Sequence, residues 1–199
     1  MSGMKKAAIA LWAVVAVALV ALLWVQVVAP RLAPAGPTEV LGRGDYAVPM
    51  TDGGTFTEAS LKGAPSAVFF GFTHCPEVCP TTLGDIATWQ ERLAEQGKAP
   101  LKVYFVTVDP ERDTMETLGD YTSWVPGVTG VTGTPEQVDA AIKAFRVYAK
   151  KVPLEDGGYT MDHTALVMLF DAKGRFSEPV AYQEDFDSAL AKIQRAAEK

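Results

Sequence analysis

Cys75 and Cys79 are the only cysteines in 199 residues, and both lie in Phe72-Thr73-His74-Cys75-Pro76-Glu77-Val78-Cys79-Pro80. A disulfide across so short a loop constrains the unfolded chain far less than one bridging distant segments. A structural staple is therefore a poor use of the pair. A local dithiol suits two chemistries: cycling between dithiol and disulfide, or presenting two thiolates to a soft metal ion.

The surrounding pattern predicts the elements that hold this loop. Ser66 to Phe72 is a short continuous apolar run, the mark of a buried central strand. After the cysteines, Leu83, Ile86, Ala87, Gln90, Leu93 and Ala94 recur at helical spacing up to Gly97, with Gln90 the one polar exception. Pro80 fits the first turn of that helix. The dithiol is thus expected on a strand-to-helix loop at a helix N-terminus, where exposed N–H groups and the helix dipole favour thiolate over thiol.

A second strand is expected over Leu101 to Val108, ending in Asp109-Pro110, with a helix from about Thr114 to Trp124. Thr134-Pro135-Glu136-Gln137 reads as a capping box with proline at the first helical position. The helix it opens carries Val138, Ala141, Ile142, Phe145 and Tyr148 on one stripe. Ala165 to Phe170, the turn Asp171-Ala172-Lys173-Gly174, and Phe176 to Tyr182 read as a hairpin. A last helix presents Phe186, Leu190, Ile193 and Ala197. Asp45 to Thr57, around Asp52-Gly53-Gly54, reads as an extra N-terminal hairpin. The fold class is α/β, and the element order is that of a thioredoxin-like fold with its dithiol at the first strand-helix junction.

Only two histidines exist, His74 beside Cys75 and His163 just before the strand at Ala165. In this fold the hairpin strand packs beside the strand carrying the dithiol loop, so a histidine entering it can reach the cysteines. Two thiolates with one imidazole form a soft, low-coordinate set suited to Cu(I). A Cys2His2 zinc site drawing on both histidines is the other arrangement available, although adjacent His74 and Cys75 point apart in extended backbone.

The N-terminus carries its own signal. Ala7 to Ala29 has no charged residue and one strongly polar one, Gln26. As a helix it would be about 34 Å long, enough to cross a hydrocarbon core of about 30 Å. Lys5 and Lys6 precede it, so residues 1–6 are expected in the cytoplasm and the remainder outside. Ala33-Pro34-Ala35 offers a signal-peptidase-like spacing, but the apolar run is long for a signal peptide and the proline is a poor cleavage context. An uncleaved anchor over 7–29 is the better reading, and the absence of a cysteine after it excludes a lipid-modified one there.

Residues 30–43, with Pro30, Pro34 and Pro37, form a stiff tether. Residues 44–199 are enough for one domain with its own core. Without Lys5 and Lys6 the chain carries 16 basic against 24 acidic residues, a balance that argues against nucleic acid and anionic headgroups as partners.

Phe70 to Pro80 closely resembles the signature of the Sco (SenC) copper-binding proteins. The likeness continues in Val106-Thr107-Val108-Asp109-Pro110-Glu111-Arg112-Asp113-Thr114, in Gly130 to Thr134, and in Tyr159 to His163. Met161 and Thr164 stand where valine and serine are expected, and neither change removes a ligand. The resemblance implies a membrane-tethered thioredoxin-like domain that helps assemble the binuclear copper centre of cytochrome c oxidase. It implies Cys75 and Cys79 as thiolate ligands and redox pair, His163 as imidazole ligand, and Asp109 as a residue of metal transfer or partner contact. It further implies copper, Cu(I) or Cu(II), as the bound ion, and the oxidase copper-site subunit and an upstream copper donor as partners. The location implied is the inner membrane with the domain on the periplasmic side.

Three function classes compete. A copper-binding assembly factor, without turnover in the usual sense, uses all three ligands. A thiol-disulfide oxidoreductase that keeps the oxidase cysteines reduced uses Cys75 and Cys79 alone, though thioredoxins space their cysteines by two residues rather than three. A peroxiredoxin-like peroxidase wants Thr-x-x-Cys, whereas Thr73 stands two residues before Cys75.

Overall fold

The computed structural model describes residues 3–28, 36, 40–155 and 157–198. Contacts divide the chain into two units at Gly36/Pro37. The first contains helix α1 (Gly3–Leu23), which runs into a π-helical turn at Trp24–Val28. Ile9–Val27 is long and apolar enough to cross a membrane, and none of it is buried. Its apolar side chains, among them Leu11, Trp12, Val17 and Leu22, are exposed around the helix, a pattern that suits lipid rather than a protein core. Ala29 and residues 30–35 and 37–39 of the expected tether lie outside the described residues.

The second unit is built on a five-stranded sheet. In chain order the strands and helices are β1 (Val48–Pro49), β2 (Thr55–Phe56), β3 (Ser66–Gly71), α2 (Val78–Glu95), β4 (Lys102–Thr107), α3 (Met115–Thr122), β5 (Val128–Val131), α4 (Pro135–Ala144), β6 (Ala149–Pro153), β7 (Tyr159–His163), β8 (Val167–Phe170), β9 (Phe176–Val180) and α5 (Phe186–Ala197). The sheet order is β5-β4-β3-β8-β9. β3, β4 and β5 run parallel, and β8 and β9 are antiparallel to them. This is the thioredoxin-like arrangement. β1 and β2 pair antiparallel over two residues each, and β6 and β7 form a further two-stranded sheet of their own.

Every residue of β3 is buried, as expected of a central strand sandwiched on both faces. Phe69 meets Phe105 edge-on across the β3–β4 ladder, and Phe70 packs on Phe145. Phe145 also contacts Tyr46, Phe56 and Phe170, so one ring gathers the N-terminal segment, α4 and the sheet. Gln90, the polar exception on the α2 stripe, is buried because it is fully bonded. Its amide nitrogen donates to the carbonyls of Leu101 and Pro126, and its oxygen accepts from Leu101 N–H. It therefore pins α2 to the segments that enter β4 and β5.

Two sequence expectations are corrected, and one strand is added. α4 ends at Ala144, with Phe145 as its C-cap and Arg146 at φ 53°, so Tyr148 leaves the predicted stripe and is exposed. β5 occupies a stretch to which the sequence pattern assigns no element, because Gly130 interrupts the apolar run. A Cβ there would meet Leu118 and Thr51 at 2.9 Å, so the glycine is required by packing. Finally, His163 does not enter β8; it ends β7, in the small separate sheet.

Candidate metal centre

The dithiol lies where the chain turns from β3 into α2. Cys75 N–H donates to the Phe72 carbonyl, closing a tight turn after the strand. Glu77 occupies the N-cap position of α2 without a side-chain cap. The N-terminal N–H groups of a helix lack intrahelical acceptors. One of them, that of Cys79, donates to Cys75 Sγ at 3.4 Å, so a sulfur serves as the cap. Cys79 is fully buried and Cys75 half-buried, and both are free thiols.

Close packing sets the position of Cys79. A Cβ on Gly71, at the end of β3, would lie 2.8 Å from Cys79 Sγ and 2.8 Å from the Phe105 ring. Glycine alone leaves room there for the sulfur.

His163 reaches the pair from the end of β7. Its Nε2 lies 3.9 Å from Cys79 Sγ, and its Nδ1 is 3.1 Å from the Thr164 carbonyl. A carbonyl only accepts, so Nδ1 carries the hydrogen and Nε2 offers its lone pair toward the sulfurs. The Phe72 ring packs edge-on against the imidazole at 5.7 Å. Thr164 closes the end of the small sheet by exchanging hydrogen bonds with Tyr148. One donor atom from each of Cys75, Cys79 and His163 falls within 4.8 Å of the others.

The two thiols are electrostatically unequal. Hydrogen bonding from Cys79, helped by backbone N–H groups, outweighs burial and holds the Cys75 thiol down at about 4. Cys79 is pushed strongly up, first by its role as donor to Cys75 and then by burial. The metal-free pair therefore shares one proton, with the thiolate on Cys75 at the helix N-terminus.

The other expected residues sit elsewhere. His74 is half-exposed, with Nδ1 3.0 Å from Thr73 Oγ1, and stands outside the three-residue group. With His74 turned away, the four donors of a closed structural zinc site are not assembled among the described residues, whereas two sulfurs and one nitrogen match the soft donor set of copper. Met161 packs on the hydrophobic core. Asp109 is buried and outside the group: it pairs with Arg112 Nε and accepts from Tyr159 OH at 2.9 Å.

The residue that sequence reasoning missed is Asp113. Its fully buried carboxylate accepts from Thr73 N–H, from Thr73 Oγ1 at 2.6 Å and from Thr107 Oγ1 at 2.6 Å. Its carbonyl accepts from Thr132 Oγ1. One side chain thereby ties the cysteine loop to the end of β4. The available signal was a carboxylate bracketed by threonines in Thr107 to Thr114, a set able to satisfy a buried acid without a cation.

A family model described as SCO1/SenC matches residues 36–198. The chain is 41% identical to a solved structure of Bradyrhizobium japonicum ScoI with copper bound, covering 78% of this chain and 99% of that one at a TM-score of 0.66. It is 33% identical to yeast Sco1 with copper bound, covering 78% and 87% at a TM-score of 0.70. Among curated proteins it is 32% identical over 162 residues to the mitochondrial SCO1 homolog 1 of Arabidopsis thaliana, covering 81% of this chain and 48% of that protein. The chain spans about half the length of the curated relatives it matches.

Proposed function

The chain belongs to the SCO1/SenC family, and on that premise we propose that it is a copper-binding assembly factor for the binuclear copper centre of cytochrome c oxidase. Copper is its cargo, held by the Cys75 and Cys79 thiolates and the His163 imidazole. Residues 7–29 anchor it in the inner membrane, 30–43 tether it, and 44–199 work on the periplasmic side. Its partners are an upstream copper donor and the copper-site subunit of the oxidase, and Asp109 belongs to the transfer or partner-contact machinery. It delivers a metal and does not turn over a substrate.

The observation that carries this reading is the approach of two sulfurs and one imidazole nitrogen to within 4.8 Å, from segments 84 residues apart. A dithiol exchanger has no use for the imidazole. The test is copper stoichiometry of the reduced and oxidised protein. Reduced chain binds one copper, and the disulfide form binds almost none, because His163 is left without thiolate partners. Equal binding by both forms overturns the site. His163→Ala abolishes the thiolate-to-Cu(II) absorption band while leaving disulfide formation intact, and fails to restore oxidase assembly in a deletion strain.

A second reading, a thiol-disulfide oxidoreductase that keeps the oxidase cysteines reduced, is favoured by one observation. The accessible Cys75 holds the thiolate and the buried Cys79 the proton, an asymmetry that fits attack by one sulfur and resolution by the other. Full restoration of assembly by His163→Ala selects this reading.

A further inference from the structure

The small sheet that ends in His163 shares no ladder with the central sheet, so something else must fix the imidazole against the cysteines. Ala149 and Met161 pack on the core, but short apolar contacts do not define register. The directional contacts converge on Tyr159, four residues ahead of His163 on β7. Its carbonyl accepts from Arg112 Nη1 at 3.1 Å, and its hydroxyl donates to Asp109 Oδ1. Two cations pack on its ring, the Arg112 guanidinium 3.8 Å from the ring centre and Lys151 Nζ 4.1 Å from it. Lys151 in turn pairs with Glu111.

The domain-side partners of these contacts are Asp109, Glu111 and Arg112, just after β4. Arg112 also bonds Asp109 and sits 5.9 Å from the centre of the Phe72 ring, the ring that packs on His163.

We propose that Arg112, fixed by Asp109 and stacked on Tyr159, is a positioning residue that latches the β6–β7 hairpin and so sets the place of the His163 imidazole. The planar guanidinium can bond a carboxylate and a carbonyl while its face stacks on an aromatic ring, which a lysine cannot do. The inference rests on the reading of His163 as a metal ligand only for its effect on copper. The latch itself is a property of the metal-free chain.

Two measurements on the full chain in detergent test it. In the absence of metal, Arg112→Ala accelerates amide hydrogen exchange over residues 149–163 by about tenfold or more, while β3, β4 and β8 keep their protection. Unchanged exchange in the hairpin overturns the latch. In the presence of copper, Arg112→Ala lowers Cu(I) affinity, read by chelator competition, by about 10- to 100-fold. The same substitution in a His163→Ala background produces no further loss. Equal loss in both backgrounds overturns the positioning role, since Arg112 would then act other than through the imidazole. Arg112→Lys behaves like Arg112→Ala, and full rescue by lysine overturns the stacking argument. Should Arg112→Ala fail to fold, Tyr159→Phe, which removes the hydroxyl bond to Asp109, gives the same pattern at smaller size, and its failure to do so counts against the latch. If His163→Ala leaves copper affinity intact, the metal reading fails while the exchange measurement still decides the latch.

Discussion

Cys79 donates its backbone N–H to the sulfur of Cys75 at 3.4 Å, so one thiol caps the helix whose first turn carries the other. The pair is preorganised by helix formation itself, because the acceptor missing at the helix end is supplied by a ligand atom. Any change that frays the first turn of α2 should disturb both sulfurs together.

The protonation of the pair gives a pH prediction. Cys75 is held at about 4, far below a free thiol, by hydrogen bonds from Cys79, with backbone N–H groups adding to the effect. The ultraviolet absorption of thiolate in the reduced, metal-free protein should therefore rise by one thiolate as pH passes upward through about 4. The second thiolate should not form at neutral pH, since Cys79 is pushed up. Copper affinity should fall as pH drops through the same midpoint, because protons then compete for the first sulfur.

Gly71→Ala places a methyl group 2.8 Å from Cys79 Sγ and from Phe105. Both neighbours are buried and cannot swing away. Overpacking of this kind should destabilise the domain by about 1–3 kcal/mol in urea unfolding. Copper binding should weaken at temperatures where the variant remains folded, because the displaced atom is a ligand.

Asp113→Ala leaves the Thr73 N–H, the part-buried Thr73 hydroxyl and the buried Thr107 hydroxyl without their acceptor. The expected loss is about 3 kcal/mol by chemical denaturation, set by the desolvated donors left behind. Asp113→Asn keeps one acceptor oxygen and should lose less. Both variants should loosen the cysteine loop, measured as faster disulfide exchange at Cys75.

Replacing Gln90 by leucine tests the polar exception on α2. The variant preserves volume but strands the carbonyls of Leu101 and Pro126 and the N–H of Leu101. It should destabilise the domain by about 2 kcal/mol or more, despite adding apolar surface to the core, and leave Cu(I) affinity of the folded protein unchanged.

The sequence carried the central architecture plainly. The apolar run of β3, the period of α2 and the capping box before α4 each state their element in side-chain chemistry that survives burial. The two cysteines declared themselves by scarcity and spacing. Other parts were illegible for definite reasons. The β6–β7 hairpin has no fully buried face, and the consecutive Lys150 and Lys151 are both exposed, so its strands lack the alternation that marks a half-buried ribbon. The end of α4 was hidden because its chain reversal uses Arg146 in the left-handed region rather than glycine. Asp113 reads as a surface acid until Thr73, Thr107 and Thr132 are seen to surround it, a relation between segments that no local pattern states.

The 84 residues separating Cys79 from His163 also bear on how the protein is made. The two sulfurs are neighbours along the chain and emerge from synthesis together, before most of the domain exists. The imidazole joins them only after β4, β5, α4 and the small sheet have formed, at the end of a long loop closure whose entropy the folded domain must offset. A metal captured early meets sulfur alone; one held by three donors sits in a chain that has finished folding. The third ligand thus acts as a maturity mark, coupling full coordination to completed biosynthesis.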